Sequence, residues 1–324
     1  MEKRTMINLD HLSQRAELLR MTRRYFDQQG FLEVQPPCLA RDCVVDAYLD
    51  PVTVDAERLG LSVPDLPKRF YLQTSPESAM KRMLAQGAPS IYSIGPVFRA
   101  GEAGTLHNVE FTMLEWYEVG GDAESAIRLL GNYVADVLKA PGYDRMTYRD
   151  AFLQVVQVDP IDAPLSILRE RVKDVDSSLA KSLKDDRDGL LDVMMSARVS
   201  PELGRDCPVI LTDYPLSQAA LAKPSANDPA CAARFELFAR GIEIANGYDE
   251  LTDPDVLTGR AAENNRKREA RGLAALEVDT TLVRAMRRGL PECSGVALGL
   301  DRLLMVATGA ERIDQVIPLP ITVA

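Results

Sequence analysis

Apolar positions between Asp10 and Gln29 recur with a helical period. Leu12, Ala16, Leu19 and Phe26 fall on one face, Asp10 is the expected cap and Gly30 the stop. Phe31-Leu-Glu-Val-Gln-Pro-Pro then reads as extended, and its prolines exclude a helix or a central strand. Residues 45–70, with Pro51, Pro64 and Pro67, read as loop. Short strands are expected at Phe70–Thr74, Ile91–Ile94 and Val97–Arg99, and a longer one at Val109–Tyr117. A second amphipathic helix covers Ala123 to Lys139, with Ile127, Leu130, Val134 and Leu138 inward and Pro141-Gly142 as its end. Residues 147–200 read as helical and acidic, Val209–Tyr214 as a buried strand, Phe235–Ala245 as a hairpin and Pro254–Arg271 as a capped helix. Gly295–Leu300 is a strand running into an apolar helix at Asp301–Ala307. No repeat or linker divides the pattern, so the expectation is one α+β domain, antiparallel strands flanked by helices.

Composition narrows the chemistry. The chain has 324 residues, 46% hydrophobic and 27% charged, as in ordinary globular proteins. Lys and Arg number 38 against 48 Asp and Glu, a net charge of −10 that leaves no broad basic face for sequence-independent nucleic-acid binding. No apolar run reaches membrane-spanning length, and Met1-Glu-Lys-Arg-Thr-Met-Ile-Asn has no hydrophobic signal core. Cys38, Cys43, Cys207, Cys231 and Cys293 form no CxxC pair and read as reduced thiols of a cytoplasmic protein. With His11 and His107 the only histidines, a His-rich metal centre is excluded, and nothing near either resembles a nucleophile elbow. Carboxylates, arginines and backbone must carry any reaction.

Three segments are candidates. If Ala239-Arg240 is the hairpin turn, Glu236 opposes Glu243; facing like charges destabilise a strand pair unless a cation sits between them, and two carboxylates without histidine suit Mg²⁺. The alternative is two solvated carboxylates on an exposed face. In Val109–Tyr117, alternation puts Phe111, Met113, Glu115 and Tyr117 on one face, able to stack a base and hold an ammonium, or simply forming the polar side of a half-buried strand. Arg99 enters a glycine-containing loop, where it can clamp a phosphate or make a surface ion pair. Ser294-Gly-Val-Ala-Leu-Gly-Leu-Asp-Arg, taken alone, is a weak pattern.

Taken together the segments resemble a known family. Phe98-Arg99, His107-Asn-Val-Glu-Phe-Thr-Met-Leu-Glu-Trp-Tyr, Gly241-Ile-Glu-Ile-Ala-Asn-Gly-Tyr-Asp-Glu-Leu and Gly295-Val-Ala-Leu-Gly-Leu-Asp-Arg resemble motifs 2 and 3 of class II aminoacyl-tRNA synthetases, and Gly30–Pro37 resembles motif 1. The subtype is similar to lysyl-tRNA synthetase, whose lysine pocket is matched by Thr74-Ser-Pro-Glu77, Glu115, Tyr117, Asn246 and Glu250. The family's N-terminal anticodon-binding OB domain is not expected, since the motif 1 helix begins near residue 10, and Ala297 stands where the tRNA enzyme usually has glycine. Both features, with Asn264-Asn-Arg-Lys-Arg and Pro291-Glu-Cys-Ser-Gly, are similar to the tRNA-free paralogues, which attach lysine, preferably (R)-β-lysine, to a lysine side chain of elongation factor P. Motif 2 departs from the pattern: Arg99-Ala-Gly-Glu102 puts the glutamate one residue late, and Thr105-Leu106 replaces the loop arginine.

The resemblance implies an ATP-dependent ligase that forms an aminoacyl adenylate with Mg²⁺ and passes the acyl group to elongation factor P, working as a homodimer in the cytoplasm without stable tRNA or membrane binding. It assigns catalysis to Arg99, Arg302 and Glu243, and ATP binding to those three with Glu102, His107, Asn108, Phe111, Ile244 and Gly299. The amino acid falls to Ser75, Glu77, Glu115, Tyr117, Asn246, Glu250 and Ala297, and the metal to Glu236 and Glu243. A lysine- and ATP-sensing paralogue without catalysis and a ligase for another acceptor share the same motifs.

Overall fold

The computed structural model describes residues 8–60 and 66–324; the N-terminal stretch read for a signal core and the centre of the proline-bearing loop, with Pro64, lie outside the described residues. In chain order the elements are α1 (Leu9–Gln28), β1 (Leu32–Glu33), β2 (Leu39–Ala40), β3 (Thr53–Asp55), β4 (Arg69–Leu72), α2 (Glu77–Leu84), β5 (Ile91–Phe98), β6 (Glu110–Val119), α3 (Ala123–Leu138), β7 (Asp144–Thr147) and α4 (Tyr148–Val156). They continue with α5 (Leu165–Lys173), α6 (Ser177–Leu183), α7 (Arg187–Met194), β8 (Val209–Pro215), β9 (Cys231–Ala239), β10 (Ile242–Asp249), α8 (Pro254–Ala270), α9 (Thr281–Met286), β11 (Cys293–Gly299) and α10 (Leu300–Thr308). They fall into two compact units, one running to Gly120 and resuming at Leu251, the other Gly121–Glu250.

In the first unit the strands run β1-β5-β6-β11, with β1 parallel to β5 and the other pairs antiparallel. The parallel edge is a departure from the antiparallel expectation. The motif 1 segment contributes only two residues to it, as its prolines require. The two strands expected around Gly95-Pro96 are one. Pro96 pairs with Thr112 of β6 at a point where β1, opposite Ile91 and Tyr92 only, has already ended, so its missing N–H costs no ladder bond on that side. The stretch read as loop carries β3, which with β2 and β4 makes a small antiparallel sheet. Helix α1 is capped by Asn8, whose side chain accepts from the N–H groups of Asp10 and His11, and not by Asp10. Its buried stripe is Leu18, Thr22 and Phe26, while Leu12 and Ala16 are exposed. The helix is turned that way because Arg15 faces inward to the buried Asp301 and to Thr112, and Thr22 hides its hydroxyl on the Leu18 carbonyl.

In the second unit the order is β10-β9-β8-β7, antiparallel except for the β7–β8 pair. Helices α4–α7 pack over one face through Tyr148, Phe152, Leu168, Leu190, Leu191 and Met194 against Val209, Leu211 and Phe238. Helix α3 ends at Lys139 in the left-handed region, two residues before Pro141. The β9–β10 turn is Arg240-Gly241 rather than Ala239-Arg240. Both residues take positive φ (52° and 77°), the two-residue turn whose twist matches the strands.

Candidate active site

The buried carboxylates of the first unit are built by β6 and α2. Alternation along β6 places Glu115 and Tyr117 on the face that α2 covers, where Tyr117 packs with Met80, Leu84, Ile91 and Cys293. Glu115 is 1% exposed, so the strand is buried on both faces and the half-buried reading does not hold. Ser75 Oγ donates to Glu115 Oε2 at 2.6 Å and the Tyr117 hydroxyl donates to Oε1 at 2.7 Å. Burial, and after it the Glu77 charge, push the Glu115 carboxyl up to about 7 despite those two donors. Glu77 opens α2, where the helix dipole favours its charge. Pro76 caps without a side-chain bond; Ser75 Oγ does the capping instead, accepting the Glu77 N–H at 3.0 Å. Lys81, one turn on, is buried and donates to Glu77 Oε1 at 2.5 Å. Sequence reasoning missed Lys81; its signal was the Glu77-to-Lys81 spacing of one helical turn.

On β11, Ala297 lies opposite Glu115, Gly299 opposite Met113 and Gly295 opposite Tyr117, so the glycine-rich strand forms a nearly bare strip beside the acidic positions. Toward the other end of β6, Arg99 lies over the Phe111 ring at 5.1 Å and 3.7 Å from the Glu102 carboxylate, so the late glutamate still reaches the arginine. Arg302, in the first turn of α10, meets His107 Nε2 at 2.6 Å and the Leu106 carbonyl at 3.3 Å. Asn108 is buried and committed locally. Its amide donates to the Glu110 carbonyl at 2.6 Å and its oxygen accepts the Ile321 N–H at 3.1 Å. Asn108 and Phe111 border a cleft of about 230 Å³ with Arg15, Asp301 and Leu319.

In the second unit the register differs from the expectation. Glu243 pairs with Phe238 and Glu236 with Asn246, because the turn sits one residue later and a bulge falls between Glu243 and Ala245, with Ile244 as the extra residue. Cross-strand partners share a face, so Glu236, Phe238, Glu243 and Asn246 still line one side. The two carboxylates are diagonal neighbours, not facing ones. They feel each other: burial, opposed by Arg234, and then the Glu243 charge raise the Glu236 carboxyl. Glu236 is not solvated; Arg234 donates to Oε1 at 2.5 Å and the Tyr214 hydroxyl to Oε2 at 2.7 Å. Arg234 stacks over the Tyr214 ring at 4.7 Å, and its place two residues before Glu236 was the legible sign that it shares the face. Asn246 Nδ2 donates to the Tyr248 hydroxyl at 2.8 Å, while its buried Oδ1 has no hydrogen-bond partner among the described residues. Glu250 is 1% exposed and bridges to Ala222.

This donor set fits a hard cation. It offers carboxylate oxygens and no histidine, and among the described residues no three or more acidic, histidine or cysteine side chains converge. An ion at Glu236 and Glu243 would therefore draw its other ligands from phosphate and water, as Mg²⁺ commonly does. No helix among the described residues is long and apolar enough to cross a membrane.

A strand pair holding arginine and aromatic residues, a buried acidic strip beside a glycine-rich strand and an arginine at the head of the following helix define a class II synthetase core. The chain belongs to the class II tRNA synthetases (D, K and N), whose family model it matches over residues 1–323. Within that family it is similar to proteins named elongation factor P–(R)-β-lysine ligase. One from Yersinia enterocolitica serotype O:8 is 41% identical over 311 residues, 96% of this chain and 95% of that protein. Those of Yersinia pestis (strain Pestoides F) and Yersinia pseudotuberculosis serotype O:1b are each 40% identical over 314 residues, 97% of this chain and 96% of theirs.

Proposed function

We propose that the chain activates lysine or (R)-β-lysine as an adenylate with ATP and transfers it to the ε-amino group of a lysine on elongation factor P, residues 1–324 acting as one catalytic domain. The observation that carries this reading is the buried pair Glu77 and Glu115 beside Ala297: a site that keeps two carboxylates out of water suits a ligand bearing ammonium groups. The names of the Yersinia relatives supply the acceptor and the preferred isomer.

The chemistry needs no covalent enzyme intermediate. A carboxylate oxygen of the amino acid attacks the α-phosphorus of ATP and pyrophosphate leaves; the acceptor's ε-amine then attacks the carbonyl carbon, AMP leaves and an amide forms. Arg99 holds the α-phosphate and the incoming carboxylate, where negative charge crowds. Arg302 takes the γ-phosphate, Phe111 stacks the base, and Glu102, His107, Asn108, Ile244 and Gly299 line the nucleotide. Glu77 and Glu115, with Ser75 and Tyr117 beside them, receive the ammonium groups, a role the family resemblance extends to Asn246 and Glu250; each charge-assisted hydrogen bond contributes roughly 1.5–3 kcal/mol. Mg²⁺, when bound by Glu236 and Glu243, supplies charge neutralisation for the phosphates. Arg234 and Tyr214 hold the Glu236 carboxylate in one orientation. Leu9 and Leu12 in the first turn of α1 and Leu32 beyond its other end, exposed by 71%, 42% and 54%, are separate apolar groups whose covering would favour a homodimer through the motif 1 region.

ATP–pyrophosphate exchange tests the first step. Exchange dependent on lysine or (R)-β-lysine is expected; exchange with neither would remove the ligase reading.

A further inference from the structure

Lys81 has no part in the chemistry above, yet only 2% of its side chain reaches solvent. Its Nζ lies 2.5 Å from Glu77 Oε1 and 5.6 Å from the centre of the Tyr117 ring, whose hydroxyl holds Glu115. A buried ion pair of this kind adds little to folding relative to apolar side chains of the same shape, so stability does not account for its presence.

Its position does. Glu77 and Glu115 are both buried and are tied together by Ser75, whose Oγ contacts the Glu77 N–H and Glu115 Oε2. Two buried carboxylates serve a ligand only if each is held where the ligand's ammonium groups fall. An internal ammonium on Glu77 Oε1 fixes the rotamer of that carboxylate. Its place over the ring of Tyr117 also holds the residue that orients Glu115. We propose that Lys81 is a positioning residue of the amino-acid pocket, a built-in ammonium that holds the Glu77 carboxylate in one orientation and so sets the pocket for a diamino acid. This rests on the reading that Glu77 and Glu115 bind the amino-acid substrate.

The test is calorimetric binding of lysine and (R)-β-lysine, with exchange kinetics alongside, in wild type, Lys81→Met, Glu77→Gln and the double variant. Lys81→Met is expected to weaken amino-acid binding by about tenfold or more, because a Glu77 no longer held in place loses its charge-assisted bond to the substrate, with the KM for ATP unchanged within about twofold. The double variant should bind no worse than Glu77→Gln alone, since Lys81 acts through Glu77. If Lys81→Met fails to fold, the double variant, which buries a neutral pair, is compared with Glu77→Gln and decides the question. Unchanged binding, full additivity of the two substitutions, or equal losses for ATP and amino acid would overturn the proposal. A wild type that binds lysine without exchange contradicts the ligase reading and leaves the Lys81 comparison decisive. A wild type that does not bind either isomer overturns both.

Discussion

Ala297 faces Glu115 across the ladder between β11 and β6, and of the three neighbouring pairs on that face it is the one where β11 brings a methyl group rather than glycine. If Glu115 receives the substrate as proposed, that substrate would lie beside the methyl. Moving an amino group along the chain by one carbon would change its path past this point, so the methyl would disfavour α-lysine more than (R)-β-lysine. One methylene-sized difference in a pocket gives ~1–3 kcal/mol, or roughly 10–200-fold discrimination. Ala297→Gly should therefore raise kcat/KM for α-lysine relative to (R)-β-lysine by about tenfold or more. An unchanged ratio would shift selectivity to Glu77 and Glu115.

Glu243→Gln should abolish ATP–pyrophosphate exchange with little change in Tm, whereas Glu236→Gln should lose both activity and stability. The difference follows from the network: Glu236 is the partner of Arg234 and Tyr214, and neutralising it strands a buried guanidinium, a loss of about 3–5 kcal/mol for a broken buried pair. Equal Tm losses in the two variants, or normal exchange in Glu243→Gln, would contradict the assignment.

The raised Glu115 carboxyl gives a pH dependence with a definite sign. In the empty pocket it titrates near 7, and an incoming ammonium favours the ionised form, so amino-acid affinity should rise as pH increases through about 7 and fall below it. Stability runs the other way. A carboxyl raised above its unfolded value stabilises the fold below the ordinary carboxylate range, and that contribution is lost as pH climbs through about 7. Glu115→Gln should flatten both profiles; a KM for the amino acid that is level from roughly pH 6 to 8 in wild type would refute the coupling.

Much of this site was legible in the chain. Strand β6, strand β11 and the β9–β10 hairpin lie where alternation and glycines put them, because their apolar runs are long and turn residues bound them. The hairpin register was not legible: a bulge at Ile244 and a turn that forces Arg240 into positive φ leave no mark in composition. Helix α2 escaped for a similar reason, being eight residues long and started by a backbone-bound serine that precedes a proline. Burial of Lys81 and Arg234 depends on which carboxylate each meets, and that is decided by packing. The α1 face was misread because a polar contact, Arg15 with Asp301, outranked the leucines in setting its rotation.

Transfer RNA should be a poor acceptor. A chain of net charge −10 gains little from a polyanion, and charging assays with bulk tRNA and lysine are expected to stay at background. Anticodon-dependent charging would contradict the protein-acceptor account.

The most direct measurement is the intact mass of elongation factor P after incubation with this protein, ATP, Mg²⁺ and each lysine isomer. The account predicts a gain of one lysyl residue per acceptor, faster with (R)-β-lysine, and lost when the acceptor lysine is replaced by arginine. An unchanged mass under conditions where pyrophosphate exchange proceeds would contradict it.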